Sequence, residues 1–154
     1  MKRMFFLAVA LSIVVGQAWG QRPVDRDSLL QDPEWKQVYD AYVPDEGMVA
    51  SLRSRAENLR VEVYFAFWCS DSLNHVPAFL KIMDAMGAAG FPAAFYEVER
   101  KALPEQKYYV EGLQVERVPT FIFYSAGGEI GRIVENPAKS ILEDILAIAF
   151  GGNN

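Results

Sequence analysis

Residues 61–72 read VEVYFAFWCSDS and place the only cysteine of the 154-residue chain, Cys69, directly after an apolar run. The run at 61–67 is rich in β-branched and aromatic residues, which predicts a strand. Apolar residues at helical spacing in 73–86 predict a helix after it. At such a strand-to-helix turn, free backbone N–H groups and the helix dipole favour a thiolate. Cys69 is therefore the candidate nucleophile, and the chain offers no second thiol to complete a dithiol reaction.

A lone cysteine also has a simpler interpretation, as a small buried hydrophobic side chain. In an exported protein, an unpaired cysteine indicates either an intermolecular disulfide or a free reactive thiol. The cysteine count alone does not choose among these interpretations.

Residues 1–20 have the features of a cleaved secretory signal peptide. Lys2 and Arg3 precede an apolar stretch, and Ala18 and Gly20 supply small residues at the −3 and −1 positions of a cleavage site. The apolar stretch is shorter than the roughly 20 residues that span a bilayer, so no membrane association is predicted after cleavage. We expect an exported protein, periplasmic or secreted.

The charge balance argues against nucleic-acid binding. The chain has 15 Lys and Arg against 20 Asp and Glu, a net charge of −5, and cleavage of the signal peptide would make it more acidic. Nucleic-acid sites need clustered positive charge, and neither Lys nor Arg forms a run here. The remaining chain is long enough for one compact domain.

The segment 21–57 is predicted to be mainly helical. Its first part, 21–31, is polar and expected to be irregular. Asp32 and Pro33 then have the features of an N-cap and a first helical residue. Apolar residues at helical spacing follow, and a second helical piece is predicted after Pro44.

The rest of the domain, 58–150, alternates strands and helices. The predicted strands lie at 61–67, 93–98, 120–125 and 129–135, the last two forming a hairpin. Asn136 and Pro137 are expected to start the closing helix. This order predicts an α/β fold, a central mixed β-sheet flanked by helices, in one globular domain with 21–57.

Four features in this order resemble the thioredoxin superfamily. They are Trp68-Cys69-x-x-Ser72 in the place of a Trp-Cys-x-x-Cys motif, the helix-kinking Pro77, the cis-proline-like segment VERVPT at 115–120, and the hairpin turn GGE at 127–129. Together they cover roughly 58–150, nearly the whole predicted domain. The motif with Asp71, Trp-Cys-x-Asp-Ser, is similar to that of a bacterial thioredoxin-like branch.

The resemblance implies a thioredoxin fold and a set of site residues. Cys69 and Ser72 are the candidate catalytic residues. The candidate substrate-binding residues are Trp68, Ser70, Asp71, Arg117, Val118 and Pro119. Pro119 is expected to be cis and to lie against Cys69, with the backbone of Val118 free to pair with an extended substrate. The alternative is a trans proline that merely starts a strand.

The departures from the family pattern limit the chemistry. Ser72 replaces the resolving cysteine, so it is expected either to hydrogen-bond the sulfur or to cap the helix. Val63 stands where many thioredoxins carry a buried acid, and Glu62 should face the other way. The Asp71 carboxylate stabilises the helix N-terminus but disfavours a nearby thiolate through like-charge repulsion. The positive charge of Arg117 could offset this repulsion.

One thiolate can still form a mixed disulfide that an outside thiol must release. The sequence therefore predicts isomerase-like or glutathione-linked exchange, with protein thiols or disulfides or glutathione-type thiols as partners and no cofactor. The alternative is a redox-inactive thioredoxin-fold module that binds an envelope or secreted partner through a polar rim of Arg117, Glu135 and Asn136.

The only histidine, His75, is four residues from Asp71, so the two side chains can pair on one face of the helix; a solvated or ion-paired surface histidine is expected. A Cys69–His75 nucleophile pair is the less favoured alternative. One cysteine and one histidine cannot supply a four-ligand zinc site, so no metal is predicted. The Cys-Gly-Phe-Ser motif of cluster-binding monothiol glutaredoxins shares only the Cys-x-x-Ser spacing.

Overall fold

The computed structural model describes residues 21–101 and 105–151, so the predicted signal peptide lies outside the described residues. The strands are β1 (Gln21–Val24), β2 (Leu59–Phe65), β3 (Ala93–Val98), β4 (Thr120–Ser125) and β5 (Gly128–Val134). The helices are α1 (Arg26–Leu29), α2 (Pro33–Ala41), α3 (Glu46–Arg53), α4 (Ser70–Met86) and α5 (Ile141–Gly151).

The strands form one sheet in the order β1-β3-β2-β4-β5. The central pair β2–β3 is parallel, and the pairs β1–β3, β2–β4 and β4–β5 are antiparallel. The mixed sheet with its helices is the predicted α/β architecture, and β4–β5 is the predicted hairpin. Because β2 and β4 are antiparallel, the end of β2 lies beside the start of β4.

The larger core lies between the sheet and the helices. Alternate residues of β2, including Val63 and Phe65, belong to one buried cluster with side chains from the five helices named above. Trp35 of α2 is buried there, with its ring centroid 5.4 Å from that of Phe65 and 4.8 Å from that of Phe67. This packing holds the turn between β2 and α4 against α2.

A smaller core covers the opposite face of the sheet. It combines Tyr64 and Ile122 with Val110, Val115 and Val118 from the connection between β3 and β4. The described part of that connection contains one 3₁₀ turn, Glu111–Leu113.

Glu62 also lies on this second face, as predicted, while Val63 points into the larger core. The Glu62 carboxylate accepts hydrogen bonds from the hydroxyls of Tyr64 at 3.0 Å and Tyr124 at 3.2 Å, and from Arg60 at 2.8 Å. Glu62, the acidic residue of this strand, is thus held by hydrogen bonds on the face of the sheet away from α4.

Two local predictions are wrong. Residues 21–31 are not irregular: β1 forms the sheet edge beside β3, with an ion pair between Arg22 and Glu97, and α1 follows it. The closing helix does not start at Asn136 and Pro137. It is preceded by Ser140, whose Oγ accepts from the N–H of Glu143 while the Glu143 carboxylate accepts from the N–H of Ser140. This reciprocal arrangement is a capping box.

Candidate active site

Cys69 is the N-cap residue of α4 and is half-buried. Its N–H donates to the carbonyl oxygen of Ala66 at 3.1 Å, and its own carbonyl accepts from the N–H of Leu73 at 3.1 Å. Backbone hydrogen bonds therefore fix the turn on both sides of the cysteine. The geometry places a partly accessible thiol at the N-terminus of a 17-residue helix, where the first backbone N–H groups lack helical acceptors.

The thiol meets the segment that precedes β4. The Sγ of Cys69 lies 3.2 Å from the carbonyl oxygen of Val118, and the Val118–Pro119 peptide bond is cis, as the resemblance implied. Thr120 fixes the same segment, because its Oγ1 donates to the carbonyl of Arg117 at 2.7 Å. Cys69, Val118 and Pro119 are thus brought together by the sheet.

Ser72 takes neither of its two expected roles. It is fully buried, and its Oγ accepts the N–H of Ala66 at 3.2 Å. The hydroxyl therefore ties the first turn of α4 to the end of β2. The N-cap position of α4 is Cys69, and no side chain caps it. Through its bond to Ala66, Ser72 therefore stabilises the turn that carries Cys69.

The remaining motif residues line the outside of this turn. Ser70 is exposed, Asp71 is half-buried in the first turn of α4, and Trp68 is 38% exposed. These three are reachable from solvent beside Cys69.

One side of the rim is built from two polar pairs. Arg117 donates to the Glu135 carboxylate at 2.6 Å, and the Glu135 N–H donates to the Pro119 carbonyl at 2.8 Å. His75 is hydrogen-bonded to Asn136 at 2.9 Å. Arg117 is thus engaged with Glu135 rather than Asp71, and the predicted Asp71–His75 pair is replaced by the bond to Asn136.

The backbone of Glu135 is unusual in this arrangement. Its φ of 57° lies in the left-handed region, which non-glycine residues seldom adopt. The conformation occurs at the end of β5, directly after Val134, and holds both of the contacts made by Glu135.

The other side of the rim is aromatic and cationic. The guanidinium of Arg100 lies over the Trp68 ring, 4.3 Å from its centroid, and the Tyr109 ring centroid is 6.1 Å from that of Trp68. Burial raises the pKa of the Tyr109 hydroxyl, the charges of Cys69 and Glu135 raise it further, and Arg100 lowers it. The Tyr109 hydroxyl therefore interacts electrostatically with the thiol and with both charged side chains.

Sequence reasoning missed Arg100 and Tyr109. Both come from the connection between β3 and β4, where no periodic pattern indicates which side chains fold back. The adjacent aromatic residues Tyr108 and Tyr109 in a polar stretch are the one signal that could have marked it.

Neither a metal site nor a spanning helix is present in the parts that the structure describes. Residues 21–101 and 105–151 contain no group of three His, Cys, Asp or Glu side chains placed to hold a metal ion. Over the same ranges, no helix combines the length and apolar character needed to cross a bilayer.

Three solved structures are similar to this chain at low sequence identity. A protein of unknown function from Pseudomonas aeruginosa is 15% identical, with a TM-score of 0.62 over 84% of this chain and 93% of that one. An HIV epitope-scaffold is 19% identical, with a TM-score of 0.47 over 77% and 72%. A chain from a complex of ferredoxin:thioredoxin reductase with a thioredoxin is 15% identical, with a TM-score of 0.38 over 73% and 94%.

A search of curated protein sequences gave no significant match. The sequence profile of the thioredoxin family, by contrast, matches residues 17–146, which is well over half of the chain. That range contains the Trp-Cys turn, the cis-proline segment and all five strands. The chain therefore belongs to the thioredoxin family.

Proposed function

We propose that this protein carries out thiol–disulfide exchange with Cys69 as its single nucleophile. The observation that carries the proposal is the position of the Cys69 thiol, half-buried at the N-cap of α4 and 3.2 Å from the carbonyl of Val118. An accessible thiol at a helix N-terminus suits nucleophilic attack on a disulfide.

The exchange balances without a cofactor. The Cys69 thiolate attacks one sulfur of a substrate disulfide, a bond forms between the two sulfurs, and the second substrate sulfur leaves as a thiolate. A thiol from outside the protein then attacks the substrate sulfur of this mixed disulfide and restores Cys69. Since Cys69 is the only cysteine, this outside thiol is obligatory.

The substrates in this proposal are protein disulfides or glutathione-type disulfides, encountered after export to the periplasm or the exterior. Export rests on the signal-like residues 1–20. Disulfides persist in such oxidising compartments, which gives a single-thiol exchange protein its substrates.

The test is to incubate the purified protein with glutathione disulfide and measure intact mass. We expect one glutathione adduct on the wild type, none on Cys69→Ser, and loss of the adduct on addition of reduced glutathione. A thiol that stays unmodified in the folded protein, yet reacts once urea unfolds it, would contradict the proposal because the site would then be closed.

A second candidate function is partner binding without redox chemistry. It is favoured by the two polar pairs of the rim, Arg117–Glu135 and His75–Asn136, which present a fixed polar surface around the site. Cys69→Ala separates the two functions. Partner capture that survives this substitution supports binding, whereas its loss supports exchange.

A further inference from the structure

Most arginines in the described part of the chain are neutralised by a carboxylate. Ion pairs join arginines to acidic side chains in five cases: Arg22–Glu97, Arg26–Asp84, Arg60–Glu62, Arg117–Glu135 and Arg132–Glu129. Arg53 instead donates to the backbone carbonyls at the end of α4.

Two arginines differ from these, because within 21–101 and 105–151 their guanidinium groups are paired with no carboxylate and lie over an aromatic ring instead. Arg55 lies over Phe150 at 4.8 Å, and Arg100 lies over Trp68 at 4.3 Å. A guanidinium stacked on a ring keeps its N–H donors at its edge. Both side chains are exposed, so these donors face solvent.

The two arginines differ in their distance from Cys69. Arg55 precedes β2, while Arg100 stacks on the residue directly before Cys69. Seven residues of β2 separate the two ends of that strand, about 20 Å at the usual rise. Arg100 therefore lies at the reactive turn, and Arg55 lies at the opposite end of the sheet.

The other cations near the site are already engaged. Arg117 is paired with Glu135, and the Nζ of Lys101 donates to the carbonyls of Lys107 at 2.6 Å and Glu116 at 3.0 Å. Arg100 is thus the guanidinium at this rim, among the described residues, that is held in place without an anionic partner.

We propose that Arg100, oriented by Trp68, binds a carboxylate carried by the disulfide that reacts with Cys69. This inference rests on the proposed exchange function and names its substrate class, a disulfide with an acidic group close to the sulfur. A guanidinium recognises a carboxylate through paired N–H donors. Because Arg100 already lies over the Trp68 ring, its side chain loses less conformational entropy when it binds. Attack by Cys69 then proceeds as in the exchange above.

The test uses three small disulfides that share a skeleton and differ in charge: 3,3′-dithiodipropionate, bis(2-hydroxyethyl) disulfide and cystamine. The rate constant for modification of Cys69 is measured for each with the wild type, Arg100→Met, Arg100→Lys and the matched control Arg55→Met. We expect Arg100→Met to lower the ratio of the anionic to the neutral rate constant by about fivefold, the effect of roughly one ion pair near a surface. Lysine should restore part of it, and Arg55→Met should leave the ratio at the wild-type value.

The outcomes distinguish failure of the Arg100 inference from failure of the proposed exchange function. If the wild type reacts with all three disulfides and Arg100→Met leaves the ratio unchanged, or if Arg55→Met lowers it equally, the inference is overturned and the exchange function stands. If no disulfide modifies the folded wild type, both are overturned. Matching urea midpoints for wild type and Arg100→Met exclude a folding defect.

The carboxylate could belong to a small thiol or to an acidic protein. Two further probes distinguish these sources: glutathione disulfide, and a disulfide-linked peptide with Glu beside its cysteine, compared with its Gln counterpart. A rate that depends on Arg100 with glutathione disulfide supports a small-molecule substrate, and dependence confined to the Glu peptide supports an acidic client. Dependence with neither overturns the inference.

Discussion

The thiol of Cys69 lies 3.2 Å from the carbonyl oxygen of Val118, although 49 residues separate them. The sheet explains this proximity. Tyr64 near the end of β2 pairs with Thr120 at the start of β4, so the turn that leaves β2 meets the segment that enters β4. The position of the thiol therefore depends on how firmly each segment is held.

Ser72 is the side chain that holds the first of these segments. We expect Ser72→Ala to lower the free energy of unfolding by about 1–3 kcal/mol, because the buried N–H of Ala66 would lose its acceptor. Urea denaturation checks this, with the exposed neighbour substitution Ser70→Ala as control. Equal midpoints for the two variants would mean that the Ala66–Ser72 bond contributes little.

Tyr124 predicts how stability depends on alkaline pH. Burial, with the charge of Glu62 next in importance, raises the pKa of the Tyr124 hydroxyl to about 12 from its ordinary value of 10.0. The folded state therefore keeps a proton that the unfolded state loses, so this stabilisation is complete below pH 10 and disappears as pH rises through 12. We expect the wild type to lose about 2 kcal/mol from this group over that interval.

Tyr124→Phe is the matching variant, since it keeps the ring but removes the hydroxyl and its bond to Glu62. At pH 8 the wild type should be more stable by about 1 kcal/mol, the usual value of such a hydrogen bond. The two stability curves should converge above pH 10 and cross before pH 12, because the wild type then loses more than its advantage at pH 8. A constant gap across that range would show that Tyr124 does not titrate as described.

The central part of the fold is predictable because its signals are local. The strands at 93–98 and 120–125 have the predicted bounds, and the Asp32 carboxylate caps α2 as expected. The start of α5 differs from the prediction because two cap signals compete within five residues. Asn136 bonds to His75, 61 residues away, and this distant partner cannot be inferred from local sequence.

The edge strand β1 and the position of Arg100 over Trp68 are not predictable from sequence, because both depend on distant parts of the chain. Residues 21–24, Gln-Arg-Pro-Val, lack strand periodicity and become a strand through pairing with β3. Arg100 reaches Trp68 only because of the path of the connection between β3 and β4. The motif located the nucleophile, whereas tertiary contacts determine what surrounds it.

The close approach of Gly131 in β5 to Ile148 in α5 is expected to make this position intolerant of a larger side chain. A Cβ atom at this position would lie 3.0 Å from Cγ1 and 3.1 Å from Cγ2 of Ile148. We expect Gly131→Ala to destabilise the protein by about 1 kcal/mol, at the lower end for overpacking. Gly128→Ala in the same strand is the control, because its nearest neighbour is 4.0 Å away.

A double-mutant cycle with Ile148→Ala identifies the cause. Truncating Ile148 removes the clash, so the double variant should be less destabilised than the sum of the single variants by about 0.5 kcal/mol or more. Additive losses, measured by urea unfolding, would assign the effect of Gly131→Ala to the strand backbone instead.

The negative charge of Glu135 is expected to slow the reaction of Cys69 with acidic disulfides. Glu135→Gln removes a negative charge that acts on Tyr109 and releases Arg117 from its 2.6 Å ion pair, so the site becomes more positive by one unit. If exchange occurs at Cys69, the ratio of the 3,3′-dithiodipropionate rate constant to that of the neutral hydroxyethyl disulfide should rise about threefold, and less at high salt. Glu129→Gln, which breaks the Arg132 pair at the start of β5, is the matched control. Since both variants change the net charge of the chain equally, an equal rise in both would assign the effect to overall charge, and the Glu135 carboxylate would then have no local part in substrate choice.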